Sequence, residues 1–260
     1  MERMRLALAF SGLLAGACGG APSISSRAGE VHLHQYSTGA HLSALFLDPP
    51  TPLAQTEFDS ALPSVNAPVF DDGTCRVFVV RTCTDCPALS VVDGGDVDVA
   101  GLPRPVDLAF HRDLGGYDDL VVDGQFLAGG AQAKVTSLGS ERVPAFEASV
   151  RIPQPIAPST TLESGLAGGL EVGWTPAGGD VKIALTVVPI AGDVAAVTCV
   201  ADEAAGRFRM SDAALALLPP PPRQLQLEVS RYQLLDVPLG DGRGVVVHGG
   251  NAVLSAVSEP

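Results

Sequence analysis

Cations and large aromatic side chains are scarce in this chain. Its 260 residues include two lysines, Lys134 and Lys182, and one tryptophan, Trp174, and the formal net charge is -13. Its 16 lysines and arginines are outnumbered by 29 aspartates and glutamates, so no basic stripe neutralises phosphate groups, and we do not expect nucleic acid as a partner. Charged residues make up only 17%, but a hydrophobic content of 46% is ordinary for a folded protein. The composition therefore argues against disorder.

The apolar run nearest the N-terminus, residues 6–17, is shorter than the roughly 20 residues that a membrane-spanning helix needs. Arg3 and Arg5 precede this run, and the small residues 15–17 end it directly before Cys18. A basic start, a short apolar run and small residues at a cut point are typical of an export signal. We therefore predict a cleaved signal peptide over residues 1–17.

The cysteine at the cut point resembles the lipobox of bacterial lipoproteins, although Ala15 stands where leucine is commoner. The resemblance implies that Cys18 is acylated and becomes the first residue of the mature chain, anchored to a membrane through its lipid. A polar tether is expected over residues 18–30. Gly19 in place of aspartate implies the outer membrane in a Gram-negative cell. The alternative is an ordinary secreted protein with an incidental cysteine.

Export also decides how the other cysteines are interpreted. Apart from Cys18 the chain has four cysteines, and an even number of cysteines in an oxidising compartment predicts disulfides. Four cysteines allow three pairings. We expect Cys75, which directly precedes the strand-like segment 76–80, to pair with Cys83 or Cys86. Cys199 is then either a buried free thiol or the partner of the remaining cysteine.

Short apolar or alternating segments, separated by glycine and proline, occupy most of the chain. This pattern is typical of β-strands. The one convincing helix lies near residues 211–218, where Ser211 can cap an apolar run that four prolines end. We predict an all-β fold of two antiparallel, immunoglobulin-like β-sandwich domains, 31–152 and 159–260, divided by a proline-rich break. A single larger sandwich is the alternative.

Several segments together resemble a class of uncharacterised lipoproteins common in myxobacteria and their relatives. The segments are residues 126–135, 143–146, 170–174, 178–181, 197–200 and 205–208. The resemblance implies a second half similar to immunoglobulin or fibronectin type III sandwiches, with Trp174 in the core. It supports the envelope location and implies no activity.

Three histidines near the start of the mature chain are candidate metal ligands. His32 and His34 are two residues apart and share one face of a predicted strand, and His41 follows a turn that can return the chain toward them. Three imidazoles can bind zinc or copper. The alternative is a solvent-facing strand that carries polar residues without a metal.

Three aspartates are candidate calcium ligands. Asp93, Asp96 and Asp98 combine clustered carboxylates with flexible glycines, as a hard cation requires. Their spacing departs from that of an EF-hand, and the alternative is a β-hairpin with a glycine turn between segments 90–92 and 97–99.

Catalytic motifs are missing from the sequence. No Gly-x-Ser-x-Gly elbow occurs, and Val247-His-Gly-Gly250, similar to an esterase oxyanion strand, has no nucleophile after it and indicates a strand-ending turn. No cofactor is expected. We predict a non-catalytic envelope protein that presents a surface to an unknown protein or glycan ligand, or has a structural role there. The alternative is an envelope hydrolase or metal-binding protein with an unrecognised site.

Overall fold

The computed structural model describes residues 26–52, 68–79, 90–160, 166, 169–189 and 195–259. Cys18, Cys83 and Cys86 lie outside the described residues. Within them the chain forms nineteen strands and one short α-helix, which confirms the predicted all-β fold class.

The strands are β1 (Ser26–Tyr36), β2 (Gly39–Pro52), β3 (Phe70–Asp71), β4 (Cys75–Val79), β5 (Ser90–Val91), β6 (Val97–Ala100), β7 (Val106–Leu108), β8 (Phe110–His111), β9 (Gly116–Tyr117), β10 (Leu120–Asp123), β11 (Gln132–Ser137), β12 (Phe146–Arg151), β13 (Ser159–Thr160), β14 (Glu171–Gly173), β15 (Lys182–Pro189), β16 (Ala195–Asp202), β17 (Arg207–Arg209), β18 (Arg223–Pro238) and β19 (Arg243–Glu259). The helix is α1 (Asp212–Leu215), and the Ser211 side chain caps it as predicted by accepting a hydrogen bond from the backbone N–H of Ala214.

One ten-stranded sheet forms the frame of the molecule. Its order is β10-β2-β1-β19-β18-β15-β16-β4-β3, and β5 pairs separately with β2. The long strands β18 and β19 form an antiparallel hairpin at its centre. The β1–β19 ladder is the one parallel pair among the described strands. This ladder brings the first described strand of the chain beside the last.

The first hydrophobic core lies between this sheet and a four-stranded sheet of order β12-β11-β6-β7. Val31 and Leu33 of β1 and Phe46 of β2 are fully buried in it, against Val135 and Val150 of the smaller sheet. The alternation of apolar and polar residues along each strand places one face of each sheet in the core.

The second core lies between strands β18, β15, β16 and β4 of the large sheet and a three-stranded sheet of order β13-β14-β17, together with α1. Leu170, Val172 and Trp174 are buried here on one face of their segment, which confirms the prediction that Trp174 is a core residue. The indole Nε1 donates a hydrogen bond to the backbone carbonyl of Glu203 at 2.8 Å.

Both cores lie on the same face of the ten-stranded sheet. Leu227 of β18 packs in the second core and Leu235 of the same strand packs against the first, and the even spacing between them places both on one face. The opposite side, which we call the rear face, therefore carries the even-numbered residues of β18, β19 and the part of β1 that follows its bulge. His32, His34 and His248 are among them.

Strand pairing and core packing both cross the predicted division of the chain at residues 152–158, because β1 pairs with β19 and β4 pairs with β16. β4 precedes the division but packs in the second core, whereas Val245 and Val247 of β19 follow it and pack in the first. The division into two domains stays a prediction. Residues 26–30, expected in the tether, belong to strand β1.

The predicted disulfide partner of Cys75 was wrong. Cys75 bonds to Cys199, 124 residues away, with their Cα atoms 4.0 Å apart. β4 and β16 are antiparallel neighbours, and their register places the two cysteines directly opposite each other. The prediction favoured partners close in sequence, whereas the partner here is set by long-range strand pairing.

Two predicted turns were also wrong. β5 pairs with β2, and β6 pairs with β7 and β11, so the segment 93–96 does not close a hairpin between β5 and β6. Residues 247–250 do not end a strand either, because they lie in the middle of β19, paired on both sides.

Candidate metal centre

Three histidines meet on the rear face of the large sheet. His32 and His34 of β1 and His248 of β19 each offer a ring nitrogen, and these three atoms lie within 4.8 Å of one another. In the part of the chain that the structure describes, no other set of three or more histidine, cysteine, aspartate or glutamate side chains is as close. We call these three residues the histidine triad.

The register of the parallel ladder places the triad. His32 is directly beside His248, and His34 is beside Gly250. A Cβ atom at position 250 would lie 2.9 Å from Nε2 of His34, so only glycine leaves room for the ring there. On the other face, a Cβ at Gly249 would lie 2.9 Å from the backbone carbonyl of Arg151. The His-Gly-Gly sequence of β19 thus supplies one ligand and the space for another.

Each ring of the triad has one buried nitrogen without a hydrogen-bond partner. These atoms are Nδ1 of His32, Nε2 of His34 and Nε2 of His248. His34 and His248 are 4% and 2% exposed, so water does not satisfy them readily. Buried polar atoms without a partner are unfavourable, and a metal ion would supply one partner to all three.

Burial keeps two of the rings neutral. It lowers the pKa of His34 to about 3, with a further contribution from the charges of His32 and His41. Burial also lowers the pKa of His248 well below its usual value, followed by the charges of His32, His34 and Arg27. Neutral imidazole is the form that binds metal ions, so both rings are ready to bind at neutral pH.

A carboxylate lies beside the triad. Oε2 of Glu30 is 2.9 Å from Nε2 of His32 and 3.7 Å from Nε2 of His248. Its other oxygen, Oε1, accepts a hydrogen bond from Nη1 of Arg27 at 2.7 Å. Burial by itself would raise the pKa of Glu30, but the hydrogen bond from His32 and the charges of His32 and Arg27 outweigh it and lower the pKa. Glu30 is therefore ionised at neutral pH.

His41, predicted as the third ligand, is not part of the triad. It lies opposite His34 on β2, but its Nε2 pairs with Oδ1 of Asp119 near the exposed edge strand β10. His248 takes its place. The sequence signal for His248 was the run Val247-His-Gly-Gly250, which we interpreted as a strand-ending turn and not as part of a metal site.

No family model and no curated protein sequence matches this chain.

The three predicted calcium ligands lie elsewhere, around a surface cavity of about 660 Å³. Asp93 accepts a hydrogen bond from the backbone N–H of Gly95 and faces Arg112 at 3.4 Å. Asp98 is directly opposite Asp107, whose pKa is raised by burial and by nearby carboxylates, Asp96 and Asp98 among them. The three aspartates do not form a set with ligand atoms within 4.8 Å, so the structure does not bring them together as a metal site.

Three imidazole nitrogens are typical donors for zinc, copper and nickel ions, whereas calcium and magnesium prefer oxygen. Nitrogens about 2.0–2.1 Å from a tetrahedral zinc ion lie roughly 3.3 Å apart. The rings of His32 and His248 stack at 4.3 Å and 17°, so they would have to tilt toward each other to hold one ion between them.

Proposed function

We propose that this chain is an exported, lipid-anchored protein of the bacterial cell envelope that binds a transition-metal ion through His32, His34 and His248. The role is binding rather than catalysis. The observation that carries the metal function is the meeting of three imidazoles, each with one buried nitrogen that has no hydrogen-bond partner.

The lipid anchor is supported by the sequence before Cys18, with its two arginines, short apolar run and small residues. The disulfide between Cys75 and Cys199 is consistent with export, because disulfides persist in oxidising compartments. No helix among the described residues is long and apolar enough to cross a membrane. A lipid on Cys18 would supply the attachment to an outer membrane.

Metal titration of the purified full-length chain tests the binding function. We expect one zinc ion per chain by isothermal titration calorimetry. His34→Ala and His248→Ala should each weaken binding by more than the roughly 10- to 100-fold that is typical of changes outside the coordination sphere.

His41→Ala and His111→Ala are matched controls, because each removes one imidazole that lies outside the triad. Each of these imidazoles pairs with an aspartate instead. Both should bind as the wild type does. The metal function is refuted if the wild type takes up no ion, or if His41→Ala loses as much affinity as His248→Ala.

Lipidation is tested separately by labelling cells with a clickable palmitate. The wild-type chain should carry the label and Cys18→Ala should not, because the proposed acylation site is then missing. Equal labelling of both chains would contradict the anchor and would leave the metal result unaffected.

A further inference from the structure

A metal ion held by three histidines still needs a fourth ligand in a tetrahedral site. Glu30 is the nearest carboxylate, and it could bind the ion itself or act from outside the coordination sphere. The two roles give different sites: a closed one with four protein ligands, or one with a position for a small ligand. The contacts of Glu30 distinguish between them.

Both oxygens of Glu30 already have partners. Oε2 lies 2.9 Å from Nε2 of His32, and Oε1 lies 2.7 Å from the Arg27 guanidinium. A carboxylate only accepts hydrogen bonds when ionised, so Nε2 of His32 is the donor and carries a hydrogen. In the neutral form of His32, which is the form that binds a metal ion, Nδ1 is then the nitrogen with a free lone pair, and it is the buried atom without a partner. Glu30 is also not in the set whose ligand atoms lie within 4.8 Å.

Arg27 keeps Glu30 in place. The arginine is 4% exposed, and the bulge between Arg27 and Gly29 in β1 lets its guanidinium reach the carboxylate three residues later. Moving Glu30 onto a metal ion would break its hydrogen bond with His32 and disturb an ion pair whose arginine is buried. Breaking a buried pair by removing one partner is strongly unfavourable.

Resting on the proposed metal function, we infer that Glu30 is a positioning residue outside the coordination sphere. It accepts the Nε2 hydrogen of His32 and so directs Nδ1 of His32 toward the ion. The ion is then held by Nδ1 of His32 and by Nε2 of both His34 and His248. The fourth position is left to water or a small anion from solvent. His32 and Glu30, at 14% and 16% side-chain exposure, are the members of this group that such a ligand can approach.

Nitrogen NMR of the histidine rings tests the positioning role without any metal. In the full-length wild type, His32 should carry its hydrogen on Nε2. In Glu30→Ala, which removes the acceptor, His32 should change toward a mixture of the two tautomers. Glu30→Gln should keep the wild-type tautomer, because the amide oxygen still accepts the hydrogen. A hydrogen on Nδ1 of wild-type His32 would overturn the inference.

Cobalt substitution tests the open position, because the visible spectrum of cobalt reports its coordination. Adding azide to the cobalt-loaded wild type should change the spectrum as azide enters the fourth position. Glu30→Ala should weaken cobalt binding by roughly 10- to 100-fold and still respond to azide. Glu30→Gln should bind more tightly than Glu30→Ala, and Glu171→Ala, on an exposed part of β14, should match the wild type.

The outcomes separate this inference from the metal function. A wild type that binds cobalt but does not respond to azide, while Glu30→Ala does respond, would make Glu30 the fourth ligand and overturn the inference alone. A wild type that binds no cobalt would overturn both the metal function and the coordination proposed here. Circular dichroism of each Glu30 variant checks that a loss of affinity does not come from unfolding.

Discussion

Gly250 is the residue on which the geometry of the triad depends most, although it cannot bind a metal. The ring of His34 lies against its backbone, within 2.9 Å of where a Cβ atom would be. Gly250→Ala should therefore displace the ring while the strand still pairs, and should weaken zinc binding by at least about tenfold, equivalent to about 1.4 kcal/mol. Calorimetric titration measures the change.

Gly116→Ala is the matched control for this prediction. A Cβ atom at position 116 meets nothing within 4 Å, and the residue lies on β9, away from the triad. Its zinc affinity should equal that of the wild type. Unchanged affinity in Gly250→Ala would show that the position of the His34 ring does not matter for binding.

Glu228, also on the rear face, makes stability depend on pH. Burial raises its pKa, so the folded chain holds the proton to a higher pH than the unfolded chain does. The loss of free energy of unfolding that comes from ionising Glu228 is absent well below pH 4.5. It grows as the pH rises through the pKa of Glu228 in the unfolded chain and then through its higher pKa in the folded chain. Glu228→Gln should therefore be more stable than the wild type at pH 7, and the difference should disappear near pH 3.

Urea unfolding at several pH values measures this difference in the free energy of unfolding. Glu171→Gln, on an exposed part of β14, is the matched control. Equal stability of Glu228→Gln and the wild type at pH 7 would contradict the role of burial.

Some residue positions were predictable because the pattern is local. The spacing of His32 and His34 predicted that they share one face, and the apolar residues Leu170, Val172 and Trp174 alternate as they do in a strand with one face in a core. His248 was not predictable, because it reaches the triad through pairing between strands at opposite ends of the described chain. The same limit applies to His41, whose carboxylate partner Asp119 lies 78 residues away.

At the scale of elements, β4 and β16 depend on the disulfide that joins them. β4 is a short strand near the edge of the large sheet, and the bond to Cys199 closes a loop of 124 residues. Removing a native disulfide with so long a loop should lower the free energy of unfolding by about 2–5 kcal/mol. Cys75→Ala and Cys199→Ala should show similar losses, because either change removes the same bond.

Urea unfolding of the two variants and the oxidised wild type measures the loss. Non-reducing peptide mapping should also recover a fragment that links Cys75 to Cys199. Variants as stable as the wild type, or a fragment that links Cys75 to Cys83 or Cys86, would refute the pairing.

It was easier to predict which segments form strands than to predict which strands pair with each other. Alternating residues predicted many of the strands, and Ser211 with the prolines after residue 218 predicted α1. Pairing depends on contacts between distant segments, which a local pattern does not contain. This is why β5 and β6 were expected to pair with each other, and why β19 was expected to end near residue 247.

At the scale of the whole molecule, one continuous sheet supports two cores on one face and the triad on the other. The parallel ladder of β1 with β19 creates this arrangement, because it places the strand that follows the proposed lipid anchor beside the last hairpin. A metal ion on the triad would bind both strands of the ladder. We therefore propose that His32, His34 and His248 hold one transition-metal ion across the β1–β19 ladder.

Anomalous diffraction at the zinc absorption edge, from crystals of the full-length chain grown with zinc, tests this claim most directly. We expect one strong peak about 2.0–2.1 Å from Nδ1 of His32 and from Nε2 of both His34 and His248. No peak at the triad, with zinc bound instead at His41 or at the aspartates around Asp98, would contradict it.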